Sequence, residues 1–291
     1  FCIGLLLTVA TTVNAQSVTW ISSTEGNVWQ KSKVKLQSKS EQNPVLQVDG
    51  TENGVVFKNW GTTFNELCWD ALGLLTRTEQ DEILYNIFSP QGDLRITRGR
   101  ISMGANDYAR SWYSCDEVEG DFELRYFNIN RDKQTIIPFI RAAQKYNPNL
   151  TFWISPWCPP SWMKINGDYP VLSSPFNSLS EKQNYLLYGA TGGQVDENEM
   201  KLTDARDGVF PRQLATTDFM IQDPRYLQTY ADYFCRFIDA YKEQGIPIDM
   251  VMYQNEAYSY TPYPGCAWTA AGTIRFNKEY LAPTLKQMHP E

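Results

Sequence analysis

Carboxylates are the groups this sequence holds in quantity for acid–base chemistry. Its 291 residues include 33 Asp and Glu but a single histidine, His289, close to the end of the chain. Serine and cysteine nucleophiles, His-rich zinc sites and HExxH metalloproteases all need a positioned imidazole. A residue in a terminal tail can hardly supply it. The sequence has no GxxxxGK[ST] loop and no GxGxxG following a strand, so nucleotide chemistry has no anchor. Glu256, in Gln254-Asn255-Glu256-Ala257-Tyr258, follows an apolar run that reads as a buried strand. A carboxyl there, desolvated by Tyr253 and Tyr258, could have a raised pKa and protonate a leaving oxygen. On position alone the plainer reading is a solvated strand-end glutamate, since most carboxylates lie at the surface.

Four other groups accompany it. Trp157 and Trp162 bracket Pro159-Pro160; Trp157 could stack on a sugar face, or both could be core tryptophans at a rigid turn. Asp107 reads equally as an acceptor for substrate hydroxyls or as a turn former. Arg100, inside a strand, needs a carboxylate partner if buried. Asn255 could cap a turn.

These residues need elements to hold them. Residues 16–50 alternate polar and apolar positions, as in Val18-Thr19-Trp20-Ile21 and Lys33-Val34-Lys35-Leu36, with Pro44 to Val48 repeating the pattern. From residue 51 onward strands and helices alternate. Strands are expected at Phe57 to Trp60, Leu94 to Met103, Leu150 to Ser155 and Ile248 to Tyr253. Thr76 with Glu79 could box a helix carrying Ile83, Leu84, Ile87 and Phe88. Ile136, Ile137, Ile140 and Ala143 mark the next. Asp223 caps a third, with Pro224 at its first position, an apolar stripe from Leu227 to Tyr241, and Gly245 at its end. Thr269 opens the last. Four strand–helix pairs imply parallel strands, with an insertion at 167–220. Ligands in such folds bind beyond the carboxyl ends of the strands, where Arg100, Asp107, Trp157, Asn255 and Glu256 all fall.

Composition narrows the class further. The chain is 42% hydrophobic and 20% charged, an ordinary globular balance. A net charge of -7 argues against a nucleic-acid partner. Cys68, Cys115, Cys158, Cys235 and Cys266 form no CxxC pair, so zinc fingers and thioredoxin-type chemistry are excluded. The apolar run at residues 3–13 is too short to span a bilayer. Followed by Val13-Asn14-Ala15, it reads as the remnant of a signal peptide cut after Ala15. The expected location is secreted or periplasmic, or lysosomal in a eukaryote.

Taken together, the strand-end stretches resemble glycoside hydrolase family 30, which includes the glucosylceramidases. Ser155-Pro156-Trp157, Ser161-Trp162-Met163-Lys164 and Asn166-Gly167 are similar to the family's SPW-x-x-P-x-W-[LM]-K-x-N-G signature. Arg100 to Tyr108 resembles its RVP-type strand with an Asp-aromatic pair, Pro224 to Glu256 the helix and strand leading to its Asn-Glu dyad, and Cys266 to Leu285 continues the likeness. The resemblance implies an α/β fold: the N-terminal half of a (β/α)8 TIM barrel over residues 51–291, preceded by β-strands of a side β-sandwich over 16–50 and truncated at the C-terminus. It implies a retaining β-glycosidase, glucosylceramidase-like, a β-glucosidase or a β-1,6-glucanase. Its partner would be a β-linked carbohydrate or glycoconjugate, with no metal or organic cofactor. Glu256 would be the general acid/base and Asn255 would hold the 2-hydroxyl; Asp107 and Trp157 would line the glycone pocket, with Arg100 behind them. The family's nucleophile is a second Glu on a later strand, so the 291-residue piece is expected to be inactive alone. Ala257, where many relatives have Pro, and the 167–220 insertion depart from the glucosylceramidase pattern. The alternatives are a non-catalytic glycan-binding protein on the same fold and a structural α/β domain whose aromatics are all core.

Overall fold

The computed structural model describes residues 17–35, 54, 59–179, 218–257 and 259–290. The expected signal segment, the Pro44 to Val48 strand, Phe57 and Lys58, residues 180–217 of the insertion, and Tyr258 lie outside them. The chain divides into two units, Phe1–Phe57 and Lys58–Glu291.

In the first unit β1 (Ser17–Thr24) and β2 (Asn27–Lys35) form an antiparallel hairpin, with Val18 opposite Val34 and Trp20 opposite Ser32. Gly26 turns the chain at φ 80°, a left-handed angle that glycine adopts without steric cost.

The second unit is built on a parallel sheet. Its strands are β3 (Gly61–Phe64), β4 (Arg98–Ser102), β5 (Thr151–Ser155) and β6 (Ile248–Val251), hydrogen-bonded in the order β3-β4-β5-β6. A doubly wound sheet reverses direction at a switch point, whereas a barrel adds each strand beside the last. The sequential order is the barrel's.

Side chains alternate across this sheet. Phe64, Ile101, Phe152 and Ile154 are fully buried on the face that meets the helices. The Phe64 ring lies 5.6 Å from Phe88 and 4.7 Å from Phe139. Gly99 lets these rings close over β4: a Cβ there would stand 2.5 Å from Phe64 and 2.8 Å from Phe152. The opposite face carries Arg98, Arg100, Trp153 and Ser155.

Helices follow their local signals. In α2 (Arg77–Phe88) the Thr76 and Glu79 capping box is complete, and Leu84 and Phe88 are buried. Helix α3 (Ile136–Gln144) buries the four expected residues and Phe139. In α4 (Pro224–Glu243) the Asp223 side chain accepts from Arg225 N, and the whole stripe from Leu227 to Tyr241 is buried. Thr269 caps α5 (Ala270–Arg275), which widens into a π-turn at Phe276–Leu281 before α6 (Ala282–Met288). Pro283 follows that turn and brings no N–H to the helix ladder.

Several expectations need correction. The first barrel strand is Gly61–Phe64, four residues later than Phe57 to Trp60. Helix α1 (Glu66–Gly73), capped by Asn65, was not anticipated. The second strand starts at Arg98 instead of Leu94. Arg95 takes φ 52°, and Leu94 N and Ile96 N bond back to the end of α2. Strand β6 stops at Val251 and is not buried: Met250 is 41% exposed. It is an edge strand among the described residues, and a cleft of about 320 Å³ runs along it, lined in part by Ile238, Met250 and Leu285.

Candidate active site

Strand register sets the floor of the site. Arg100 pairs with Trp153 and Ser102 with Ser155, so an arginine, an indole and a hydroxyl share the face away from the helices. The Arg100 guanidinium donates to Asn255 Oδ1 at 2.7 Å and to Ser155 Oγ at 3.1 Å. It lies 4.0 Å from the Trp157 ring centroid and 4.9 Å from that of Trp153, within cation–π range of both. Arg100 thus rests on amide, hydroxyl and ring faces; among the described residues it forms no ion pair with the carboxylate partner expected for it. Burial lowers its pKa, and the charges of Glu256 and Asp107 oppose that shift. Its Nε is buried without a partner among the described residues.

The loops beyond β5 and β6 are laced together. Asn255 N donates to Pro156 O at 2.8 Å, and Gln254 Nε2 to Trp157 O at 2.6 Å. Trp268 Nε1 donates to Gln254 Oε1 at 3.2 Å. This lacing presents Asn255 to Arg100 and then turns the chain sharply at Glu256, whose φ of 48° is left-handed. A non-glycine residue there costs about 1 kcal/mol or more and persists only where surrounding contacts impose it. Glu256 is exposed, so the desolvation expected from Tyr253 is not formed. The Tyr253 ring instead packs 5.7 Å from Trp268, with its hydroxyl 2.8 Å from Thr273 Oγ1.

Asp107 arrives from the loop beyond β4. Gly104 turns at φ 87°, Ala105 N bonds to Tyr113 O, and Asn106 Oδ1 accepts from Tyr108 N at 2.9 Å. The Asp107 carboxyl is reached by solvent but ringed by protein, and that partial desolvation raises its pKa. The Trp157 indole pulls it back, Glu256 adds to the rise and Arg100 opposes it. The buried Trp157 Nε1 faces this carboxylate without completing hydrogen-bond geometry. The five residues singled out from sequence therefore belong to one cluster.

The rest of the tryptophan motif is structural. Lys164, 2% exposed, donates its ammonium protons to Tyr169 O at 2.7 Å and Pro170 O at 3.0 Å. Asn166 Nδ2 reaches Pro170 O at 2.8 Å, and Trp162 Nε1 reaches Asp116 O at 3.1 Å. Glu117 accepts from Ser161 N at 3.0 Å and from the Tyr169 hydroxyl at 2.6 Å. Sequence reasoning gave no role to Glu117, nor to Ser155. Glu117 lies in a charged loop with no periodicity to mark it, whereas Ser155 could have been found from its register beside Arg100.

His289 lies beside Asp239 of α4 and lines the cleft along β6. The five cysteines of the described residues are free thiols, and all but Cys68 are buried. Among the described residues no group of three or more His, Cys, Asp or Glu could hold a metal ion. No described helix is long and apolar enough to cross a membrane.

A parallel sheet in sequential strand order thus presents an acid, an amide, an arginine and an indole beyond its carboxyl ends. Residues 57–174 match the model of the glycosyl hydrolase family 30 TIM-barrel domain, the family that the strand-end motifs resemble. The chain is 29% identical over 268 residues to putative glucosylceramidase 3 of Caenorhabditis elegans, covering 88% of this chain and 42% of that protein. It is 25% identical over 252 residues to endo-1,6-beta-D-glucanase neg1 of Aspergillus fumigatus, covering 84% and 45%. The solved structure of the endo-beta1,6-glucanase BT3312 superposes with a TM-score of 0.57 at 23% identity, covering 80% of this chain and 42% of that one. The chain thus spans less than half the length of these relatives.

Proposed function

We propose that the protein is a retaining β-glycoside hydrolase acting on a β-linked glucoside, with Glu256 as general acid/base. The observation that carries this reading is the Arg100 hub. One guanidinium holds Asn255 by its Oδ1, lies over Trp157, and sits within charge range of both Asp107 and Glu256. With Oδ1 occupied, the Asn255 Nδ2 protons remain to donate to a sugar 2-hydroxyl, a contact that strengthens in an oxocarbenium-like transition state. Trp157 and Asp107 then border the glycone, and Glu256 protonates the leaving oxygen.

Retention needs a second carboxylate, about 5–5.5 Å from the first, to attack the anomeric carbon. We assign it to a strand outside the described residues, since an eight-stranded barrel closes with four strands beyond β6. Glucosides are favoured because the relatives' names join glucosylceramidases and endo-1,6-glucanases. The leader-like residues 3–15 support an exported protein.

The test is hydrolysis of a panel of aryl β-glycosides by the full-length protein beside its Glu256→Ala variant. Cleavage of one glycoside is expected, with the variant at least about 100-fold slower, as for loss of a general acid, and rescued by azide. Turnover unaffected by the substitution would overturn the assignment of Glu256.

A further inference from the structure

Proton transfer by Glu256 depends on where its carboxyl stands, and its left-handed backbone has to be imposed by contacts on either side of it. One residue supplies contacts on both sides. Trp268 Nε1 donates to Gln254 Oε1 at 3.2 Å, two positions before Glu256, and Trp268 N donates to Ala257 O at 2.9 Å, one position after it. Gln254 carries the first contact onward, its Nε2 donating to Trp157 O at 2.6 Å and to Asn255 O at 2.8 Å. Ser259 N closes the turn on Glu256 O at 2.8 Å. The backbone that carries the acid is thus gripped before and after it, while the Glu256 side chain stays exposed.

Trp268 is anchored in its turn. Its indole is fully buried, stacked on Phe276 with ring centroids 5.3 Å apart and edge-on to Tyr253 at 5.7 Å. Its chain neighbours are pinned by the return end of the insertion: Phe219 N donates to Ala267 O at 2.8 Å, and Thr269 N donates to the Asp218 carboxylate at 2.6 Å. A buried tryptophan needs packing for its ring and an acceptor for its N–H. Here the acceptor is the side chain of the residue that precedes Asn255 and Glu256, so the indole N–H joins a rigid core to the two residues that meet substrate.

We propose that Trp268 is a positioning residue for the proton donor: its indole N–H, through Gln254, and its backbone N–H, through Ala257, hold Glu256 in the left-handed turn that aims its carboxyl at the leaving oxygen. The inference rests on the glycosidase reading and adds to it a residue that acts without touching substrate.

The experiment compares phenyl β-glucoside, whose leaving phenolate is basic and needs a proton, with dinitrophenyl β-glucoside, whose stable anion departs without one. Full-length native protein, Trp268→Phe and Glu256→Ala are assayed by kcat/KM, which reports departure of the leaving group, with thermal melts to verify folding. Trp268→Phe keeps an aromatic ring and the backbone N–H but removes the donor to Gln254. It is expected to lower kcat/KM about tenfold or more for phenyl β-glucoside and less than about threefold for the dinitrophenyl compound, since only the first needs a well-placed acid. Replacing Trp268 with benzothienylalanine, which puts sulfur in place of the N–H and keeps the ring's shape, should give the same selective loss. It carries the test if Trp268→Phe does not fold. Equal losses on both substrates would overturn the proposal by making Trp268 merely structural. An unchanged kcat/KM for phenyl β-glucoside would overturn it by showing that Glu256 is held without the indole N–H. In both cases a selective loss in Glu256→Ala shows that the glycosidase assignment still stands. A Glu256→Ala variant without that selectivity, or a native protein that cleaves neither glucoside, would bring down that assignment and the Trp268 proposal together.

Discussion

Arg100 illustrates what a single side chain does in this site and what it requires. Its planar fork bonds Asn255 and Ser155 while its face covers Trp157. Lysine cannot do both, because an ammonium is a compact point charge with no plane to stack. Arg100→Lys is therefore expected to lower kcat/KM by about tenfold or more, a loss of about 1.4 kcal/mol or greater, with the fold retained by circular dichroism. An unchanged kcat/KM would show that Asn255 is held well enough by its backbone bond to Pro156. From sequence, Arg100 was conspicuous as a cation within a strand, but its partner lies 155 positions away. The expectation of a carboxylate partner failed because sequence shows charge and not which polar groups lie in register. Glu256 was singled out on position, and the resemblance alone raised it above a solvated strand-end carboxylate. Its left-handed backbone has no sequence signal, since glutamate is not a residue that favours it.

At the scale of elements, close packing and buried latches fix where these residues arrive. Gly99 sits where the Phe64 and Phe152 rings meet over β4. Gly99→Ala would place a methyl group well inside contact distance of both, and overpacking of this kind costs about 1–3 kcal/mol. A correspondingly lower midpoint in urea unfolding would confirm it, with activity surviving in the folded fraction. Lys164→Met tests the latch beyond β5. The carbonyls of Tyr169 and Pro170 lose a charged donor, at about 1–3 kcal/mol, and the bond from Gly265 N to Tyr169 O, 3.1 Å long, loosens with them. The measurable sign is faster amide exchange at Gly265 in the variant than in the native chain. Helices α2 and α4 were legible because their caps are local: Thr76 with Glu79, and Asp223 with Pro224. Strand bounds were less so. The end of α2 holds residues 94–97 by backbone bonds, which no side-chain pattern records. Strand β6 has a sequence apolar enough to be buried, yet it lies at an edge of the described sheet.

For the molecule as a whole, two buried carboxylates set opposite limits on stability against pH. Asp132 is fully buried between Tyr113 and Tyr241, accepting from their hydroxyls at 2.7 and 2.6 Å. Burial pushes its pKa up to about 6, and those hydroxyl bonds only partly offset the rise. In the window from its unfolded value of about 3.8 to about 6, the folded state holds a proton that the unfolded state has released. The stability contributed is therefore complete below that window and is lost as pH rises through it, by at most about 3 kcal/mol. Glu66 works in the other direction. Burial raises its pKa, but the Arg131 fork at 2.6 and 2.9 Å and the Arg110 backbone N–H outweigh it, leaving a net depression below 4.5. Its contribution is present above that value and is lost as pH falls. The two together place maximal stability in the mildly acidic range, roughly pH 4–5. Between pH 4.5 and pH 7 about 2 kcal/mol of it is lost, so thermal melts should show Tm falling by roughly 4–8 °C, taking about 2–4 °C per kcal/mol for a domain of this size. Asp132→Asn keeps an acceptor and a donor for the two tyrosines but removes the titration, so it should flatten that decline. Glu66→Gln should instead lower stability at neutral pH and leave the decline in place. A Tm that rises steadily from pH 4.5 to 7 in the native protein would mean that Asp132 is ionised in the fold, and that Tyr113 and Tyr241 suffice to solvate its charge.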